Sequence, residues 1–234
     1  DVSSGVITTY AGNGTAAFAG DGGPATAASL FSPVDVDCDA AGNLYICDRD
    51  NHAVRRVDAG TGLVTTVAGT GDAPGYEGDG GAAAAARLFL PCGVFVDRST
   101  GRLFIADTFN GRIRMVERAT GRISTVAGDG SVYRYQGLDQ ELSTSLSRPY
   151  GIALDPEGHL LLTDSDSHLI RRWDRKNTII TRVAGNGTPE FNGDGGHCRD
   201  SALNYPFGVA VDDRGNIYIA DTLNNRIRMI ASEK

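Results

Sequence analysis

The chain repeats one short segment four times at a nearly constant spacing. The copies are GVITTYAG from Gly5, GLVTTVAG from Gly62, GRISTVAG from Gly121 and TIITRVAG from Thr178, at intervals of 57, 59 and 57 residues. Self-similarity at a fixed period indicates a repeat architecture, in which each unit stacks on its neighbours to bury a continuous core. We therefore predict one domain over residues 1–234, built from the repeats 5–61, 62–120, 121–177 and 178–234.

Each unit contains short stretches in which apolar and polar residues alternate, as is typical of β-strands. In the last unit they are FGVAVDD, NIYIAD and NRIRMI, and the TIITRVAG-like segment supplies a fourth. Aspartate and glycine three residues apart, as in Asp212 and Gly215, suit a tight hairpin between the first two strands. Four antiparallel strands in a unit that cannot bury its own faces describe a propeller blade. The predicted fold is all-β, a four-bladed β-propeller of four-stranded antiparallel blades.

The order of the strands suggests how such a ring would close. The chain opens with a fourth-strand segment, Val6–Ala11, and ends after a third strand, Ile227–Ile230. A closed ring removes the exposed sheet edges that invite aggregation. We therefore expect the N-terminal strand to complete the last blade.

The segment that follows the second strand carries a family resemblance. DRDNHAVRRV, from Asp48 to Val57, and its relatives DTFNGRIRMV, DSDSHLIRRW and DTLNNRIRMI occur together with GDGG loops, P-x-G-V-A-V-D and G-N-x-Y-I-A-D patterns. This set resembles the NHL repeat family over essentially the whole chain. The resemblance implies a β-propeller, but NHL propellers are more often six-bladed. The alternatives to a closed four-blade ring are therefore part of a six-bladed propeller, or a ring completed by a second copy.

An aspartate is followed seven residues later by an arginine in every unit. A catalytic carboxylate would occur once, whereas a structural one is copied with the repeat, so we predict charge-assisted ties between strands or blades. The predicted structural residues are Asp48, Arg55, Asp107, Arg114, Asp164, Arg171, Asp221 and Arg228.

Three loops carry Asp-Gly-Gly, at Asp21, Asp79 and Asp194. A ring of carboxylates around the channel mouth would suit Ca²⁺, which prefers oxygen ligands, but a calcium loop normally clusters several donors within one segment. We therefore interpret these residues as turn formers and predict neither a metal nor a cofactor, with Ca²⁺ as the alternative.

Residues that break the repetition are the better candidates for function. They combine aromatic and charged side chains of the kind enriched at interfaces, in the loops and first strands that open on one rim. The candidates are Tyr133, Arg134, Tyr135, Tyr150, Phe207, Asp35 and His197. We predict a non-enzymatic binding scaffold that presents this rim to a protein, peptide or glycan partner, with no catalytic residues. The alternative is a metal-dependent hydrolase or lyase with its site at the central channel.

Charge and composition argue against some classes of binding partner. A net charge of −7 argues against nucleic acid, whose phosphates require clustered cations. No apolar run approaches the roughly 20 residues that a membrane-spanning helix needs, so we expect no membrane insertion. The cysteines Cys38, Cys47, Cys92 and Cys198 are irregularly spaced, and we predict that they are free and buried.

The setting is predicted to be extracellular or at the cell surface. Asn13 and Asn186 begin Asn-Gly-Thr sequons at the same repeat position, although Asn-Gly is also a turn dipeptide. The chain begins at Asp1 without a methionine or an apolar leader, so we expect a mature form or a piece of a longer protein.

Overall fold

The computed structural model describes residues 5–131 and 145–232 and contains four antiparallel sheets. The first sheet is β1 (Pro33–Cys38), β2 (Leu44–Asp48), β3 (Ala53–Val57) and β4 (Val64–Ala68); the second is β5 (Gly93–Val96), β6 (Leu103–Asp107), β7 (Arg112–Val116) and β8 (Ile123–Ala127). The third is β9 (Pro149–Leu154), β10 (Leu160–Asp164), β11 (Leu169–Asp174) and β12 (Ile179–Ala184); the fourth is β13 (Pro206–Val211), β14 (Ile217–Asp221) and β15 (Arg226–Ile230). Short 3₁₀ helices span Ala25–Ala27, Arg49–Asn51, Ala83–Ala85, Thr108–Asn110, Ser165–Ser167 and Thr222–Asn224.

These sheets are the blades of a four-bladed all-β propeller, as the sequence predicted. Each blade is an antiparallel meander in which sequential strands pair. The innermost strands pack side by side, β1 against β5, β5 against β9 and β9 against β13. The repeat is therefore offset from the blade, because each sequence unit begins with the outermost strand of the blade before it.

The last blade differs from the prediction that the N-terminal strand completes it. Its sheet has three strands in the described part of the chain, and residues 5–11 form no β-strand. The N–H of Gly12 donates to the carbonyl of Ala25 at 2.9 Å, as the N–H of Gly69 donates to Ala83 at 3.0 Å between the first two blades. The segment before Gly12 is thereby held beside the first blade. The predicted pairing with β15 is corrected accordingly.

The core lies between successive blades. Val54 and Ala68 of the first blade pack with Ile105 of the second, and Ile170 of the third packs with Ile219 of the fourth. Each blade thus covers the face of its neighbour, as expected for units that cannot bury their own surfaces. The leucines three residues before the blade prolines are fully buried or half-buried in these layers: Leu30, Leu88, Leu146 and Leu203.

The Asp and Arg seven residues apart form an ion pair inside every blade. Arg114 Nη1 lies 3.1 Å from Asp107 Oδ2, and both side chains are completely buried. Burial raises the pKa of Asp107 to about 6, against the lowering effect of the Phe89 N–H and of Arg114. The corresponding distances are 3.2 Å for Arg55 and Asp48, 3.9 Å for Arg171 and Asp164, and 3.4 Å for Arg228 and Asp221.

In the second and third blades the inner strand closely approaches the next one at the glycine two residues after the blade proline. A Cβ built on Gly93 would collide with the backbone oxygen of Tyr150 in the next blade, and one on Gly151 would lie 2.9 Å from the oxygen of Phe207. The glycines are therefore required by blade packing. Among the residues that the structure describes, Gly208 has no such backbone neighbour, because no further inner strand packs on that side of β13.

The four cysteines are free, as predicted. Cys47 and Cys92 are buried, whereas Cys38 and Cys198 are only half-buried.

Candidate binding cleft at the channel mouth

A cavity of about 560 Å³ lies where the four inner strands converge. Its walls come from β1, β5, β9 and β13, together with the start of the 3₁₀ helix after β2. The cleft brings together three of the residues that the sequence singled out, Asp35, Tyr150 and Phe207. It is the place where side chains from all four blades can touch one ligand.

Aromatic side chains form one wall of the cleft. The rings of Tyr150 and Phe207 lie 4.7 Å apart between centroids, and Tyr205 lies 6.3 Å from Phe207. Phe207 is 38% exposed, so its ring is available to a ligand. Burial raises the pKa of the Tyr150 hydroxyl, which therefore stays protonated and can donate a hydrogen bond.

The two carboxylates of β1 serve the neighbouring blade. Asp35 Oδ2 accepts the N–H of Val94 at 2.9 Å, and Asp37 Oδ2 accepts the N–H of Val96 at 2.7 Å. Burial raises the pKa of Asp35, although the amides of Val94 and Val36 lower it. Asp35 thus stands where the other units have glycine because its carboxylate bridges to the next inner strand. This geometry gives both aspartates a structural partner inside the cleft.

Arg49 lines the cleft beside Cys92, and sequence reasoning missed it. Its guanidinium lies 3.4 Å from Asp50. In the other three units the equivalent residue carries a hydroxyl, and the hydroxyls of Thr108 and Ser165 donate to the proline carbonyl of the next blade at 2.7 and 2.6 Å. The departure from a repeated hydroxyl was the signal in the sequence that could have identified Arg49.

The remaining candidates lie elsewhere. His197 lines a separate surface cavity beside Arg199 and Arg182, away from the inner strands. Its ring nitrogen Nδ1 accepts the N–H of Arg199 at 3.2 Å. Tyr133, Arg134 and Tyr135 lie outside the described residues.

The Asp-Gly-Gly carboxylates do not ring the channel mouth, contrary to the arrangement considered from the sequence. Asp21 lies 2.7 Å from Arg55 and accepts the N–H of Thr66 in the outermost strand at 3.1 Å. Asp79 and Asp194 have arginine partners in the third strand of their own blades, at 2.7 and 2.8 Å. The arginines draw these carboxylates to the outer half of the blades. Within residues 5–131 and 145–232, no three His, Cys, Asp or Glu side chains are grouped so that they could hold a metal ion.

The two repeated histidines connect blades. His52 Nδ1 accepts the N–H of Leu90, and His168 Nδ1 accepts the N–H of Tyr205, both at 3.2 Å. Burial lowers the pKa of both imidazoles, which favours the neutral form that can accept a hydrogen bond. Both therefore have a structural role beside the cleft.

The sequon asparagines form turns. Asn13 Oδ1 accepts the N–H of Thr15 at 2.8 Å, and Asn186 Oδ1 accepts the N–H of Thr188 at 2.9 Å. Their amide nitrogens, to which a glycan would be attached, donate to Ala27 and Asp200. The turn interpretation accounts for both residues.

No helix in the described ranges is long and apolar enough to cross a lipid bilayer.

The fold and the cleft define a repeat β-propeller with an aromatic-lined channel mouth. The NHL repeat family model matches residues 146–173 and 203–228, in the third and fourth blades. These matches confirm the resemblance: the third and fourth blades of the β-propeller contain NHL repeats.

Relatives of known sequence are much longer than this chain. Protein SUPPRESSOR OF QUENCHING 1, chloroplastic, from Arabidopsis thaliana is 28% identical over 97% of the chain, which spans 22% of that protein. Teneurin-1 from Mus musculus is 29% identical over 92% of the chain, which spans 8% of it. The chain is therefore similar to one segment of larger proteins.

Solved structures share the fold at low sequence identity. An auxiliary nutrient binding protein from Bacteroides thetaiotaomicron superposes with a TM-score of 0.64 at 21% identity, over 83% of this chain and 46% of that one. Virginiamycin B lyase from Staphylococcus aureus superposes with a TM-score of 0.55 at 15% identity, over 85% of this chain and 52% of that one. The propeller thus occurs in both a binding protein and an enzyme.

Proposed function

We propose that this protein is a non-enzymatic binding scaffold whose channel mouth takes a protein, peptide or glycan partner. The observation that carries the proposal is that the paired rings of Tyr150 and Phe207 line the same cleft as Arg49. Aromatic rings provide a large contact area at low entropic cost, and arginine adds directional hydrogen bonds, which is the composition of binding hot spots.

The chemistry of the carboxylates supports binding over catalysis. A metal-dependent lyase or hydrolase would use free carboxylates or histidines at the channel. Asp35 and Asp37 accept backbone N–H groups of the next blade instead, and His52 and His168 accept hydrogen bonds from neighbouring loops. The groups that could have served an enzyme hold the blades together.

The test is a screen of the whole chain against arrays of glycans and of peptides, followed by titration of each ligand found. Tyr150→Ala and Phe207→Ala should each weaken binding by about tenfold or more, as loss of a hot-spot side chain does. Phe31→Ala is the matched control, because Phe31 is also an exposed aromatic but does not line the cleft. Equal loss in all three variants, or turnover of a ligand, would contradict the proposal.

The extracellular setting and membership of a larger protein are part of the same proposal. The chain matches only a segment of each relative, which supports a module within a longer protein. Mass spectrometry of protein secreted from eukaryotic cells tests for glycans at Asn13 and Asn186. Elemental analysis of the same sample tests the calcium alternative at Asp21, Asp79 and Asp194.

A further inference from the structure

The inner strand of each blade has one edge that faces the channel. In an antiparallel pair of strands, hydrogen-bonded and non-hydrogen-bonded positions alternate. The N–H of Asp39 donates to the carbonyl of Asn43 at 3.0 Å next to the end of β1. Val36 and Cys38 therefore occupy non-hydrogen-bonded positions and turn their N–H and C=O groups away from β2, toward the channel. The same alternation turns the backbone groups of the equivalent residues toward the channel in the other blades: Val94, Val96, Ile152, Leu154, Val209 and Val211.

Two carboxylates of the first blade show how this edge binds an anion. Asp35 Oδ1 accepts the N–H of Val36, and Asp35 Oδ2 accepts the N–H of Val94, each at 2.9 Å. Asp37 bridges the next pair of N–H groups in the same way, at 2.8 and 2.7 Å. Each carboxylate thus connects the channel-facing N–H groups of two adjacent inner strands, β1 and β5.

Between β9 and β13 the same N–H groups are present without a carboxylate. Gly151 stands at the repeat position of Asp35. A Cβ built on Gly151 would lie 3.0 Å from the nitrogen of Val209, so the glycine leaves this N–H uncovered. Within residues 5–131 and 145–232, the N–H groups of Ile152 and Val209 donate neither to a side chain nor to another backbone carbonyl. Because a backbone N–H inside a protein needs an acceptor, this pair is completed only by water or by a ligand.

The two N–H groups lie in the cleft at the channel mouth. Ile152 and Val209 line it together with the aromatic wall and Arg49. Burial raises the pKa of the Tyr150 hydroxyl, while the positive charges of Arg148 and Arg49 lower it, so both guanidinium groups act on this wall. An anion that entered the cleft would therefore meet two N–H donors and two nearby positive charges.

We propose that a carboxylate of a peptide partner bridges the N–H groups of Ile152 and Val209, in the way that the Asp35 carboxylate bridges β1 and β5. This inference rests on the proposed function, because it names the group that the partner places in the same cleft. Hydrogen bonds to an ionised carboxylate are stronger than those to a neutral acceptor. The carbonyl groups of the same two residues also face the channel, and a peptide supplies N–H donors for them.

Nuclear magnetic resonance of the isotope-labelled chain tests the contact directly. The tripeptide Gly-Gly-Phe with a free C-terminal carboxylate should move the amide resonances of Ile152 and Val209 downfield. The resonances of Val36 and Val94 should stay in place, because Asp35 already accepts their N–H groups. The C-terminal amide of the same peptide should bind at least about tenfold more weakly. The amidated peptide Gly-Glu-Phe, whose carboxylate is on a side chain, distinguishes an acidic side chain from a C-terminus.

Two variants test the charge and the bridging geometry. Arg49→Gln should weaken binding of the free-acid peptide about threefold and leave the affinity of its amide unchanged. Arg56→Gln is the matched control, because Arg56 belongs to the same blade and also pairs with an aspartate but does not line the cleft. Asp35→Gly gives the first unit the residue of the others, so the resonances of Val36 and Val94 should then respond to the free-acid peptide as well.

The outcomes separate this inference from the proposed function. If the acid and the amide bind equally and Tyr150→Ala weakens both, the cleft binds a partner without taking its carboxylate, and only the inference is overturned. A response of Ile152 and Val209 to glucuronate but to neither peptide would overturn the peptide as the source. If no peptide moves any resonance of the cleft and the glycan and peptide arrays yield no ligand, the inference and the proposed function both fail.

Discussion

At the scale of single residues, the Asp97 carboxylate both stabilises a hairpin turn and connects two blades. Its carboxylate accepts hydrogen bonds from Ser99 and Thr100 and lies 3.1 Å from Arg175 of the next blade. Burial raises its pKa, but the hydrogen bonds outweigh that effect and lower the pKa to about 2. The ionised form is therefore favoured in the folded state.

Asp97→Asn should lower the free energy of unfolding at pH 7 by about 2 kcal/mol, the value that corresponds to this pKa depression. Because the folded pKa lies below the unfolded value of 3.8, the stabilisation is present above about pH 4 and is lost as the pH falls through about 2. Urea unfolding at pH 7, 4 and 2 measures it. Asp213→Asn, at an exposed carboxylate, is the control and should change the free energy of unfolding little at pH 7. A pH-independent effect of Asp97→Asn would contradict the assignment.

Gly93→Ala is expected to be strongly destabilising, by about 2 kcal/mol or more, because the new Cβ collides with a backbone oxygen that cannot move alone. Gly208→Ala, at the same register in the last blade, is the matched control. Its Cβ would meet only the Cβ of Ala220 at 3.3 Å, so the cost should be clearly smaller. Thermal unfolding of the two variants measures the difference in destabilisation. Equal costs would show that blade approach does not require the glycine.

The sequence identified some of these residues but did not reveal their roles. The repeated glycine was visible, but its reason, contact with a neighbouring inner strand, is a tertiary distance. Asp35 was identified as an exception and interpreted as a binding residue, because a sequence does not show that Val94 presents its N–H to that carboxylate. Arg49 was missed although it departs from the repeated hydroxyl, because a sequence does not show that Arg49 lines the same cleft as Tyr150 and Phe207.

At the scale of elements, the buried arginines of the third strands connect four parts of a blade. Arg114 contacts Asp107, Asp79 and the carbonyls of Arg87 and Glu77. Arg114→Ala should cost about 3–5 kcal/mol, since it leaves a buried carboxylate without its counter-ion. Arg228→Ala in the last blade is the comparison.

The cost at Arg228 should be smaller, because its side chain is 11% exposed and water can replace it. Urea unfolding at neutral pH measures both variants. A larger loss from Arg228→Ala than from Arg114→Ala would contradict this ranking.

Local pattern was sufficient to predict the strands, their antiparallel order and the hairpin turns. It did not suffice for the fourth strand of the last blade. Residues 5–11 have the correct sequence for that strand, but pairing also depends on where the chain places them, and the bond between Gly12 and Ala25 places them beside the first blade. Closure is a property of the whole molecule and leaves no local signal.

At the scale of the whole molecule, stability should vary along the row of blades. The second and third blades have a neighbour on both sides, and their strands β6 and β10 are buried throughout. Within the described residues the inner strand of the fourth blade packs against that of the third, and every residue of β15 is exposed or half-buried. In a repeat protein whose units contact only adjacent units, a unit with a neighbour on both sides unfolds locally least often.

Hydrogen exchange followed by mass spectrometry should therefore show the slowest exchange in β6 and β10 and the fastest in β15. Uniform protection across all four blades would show that the blades open as one cooperative unit.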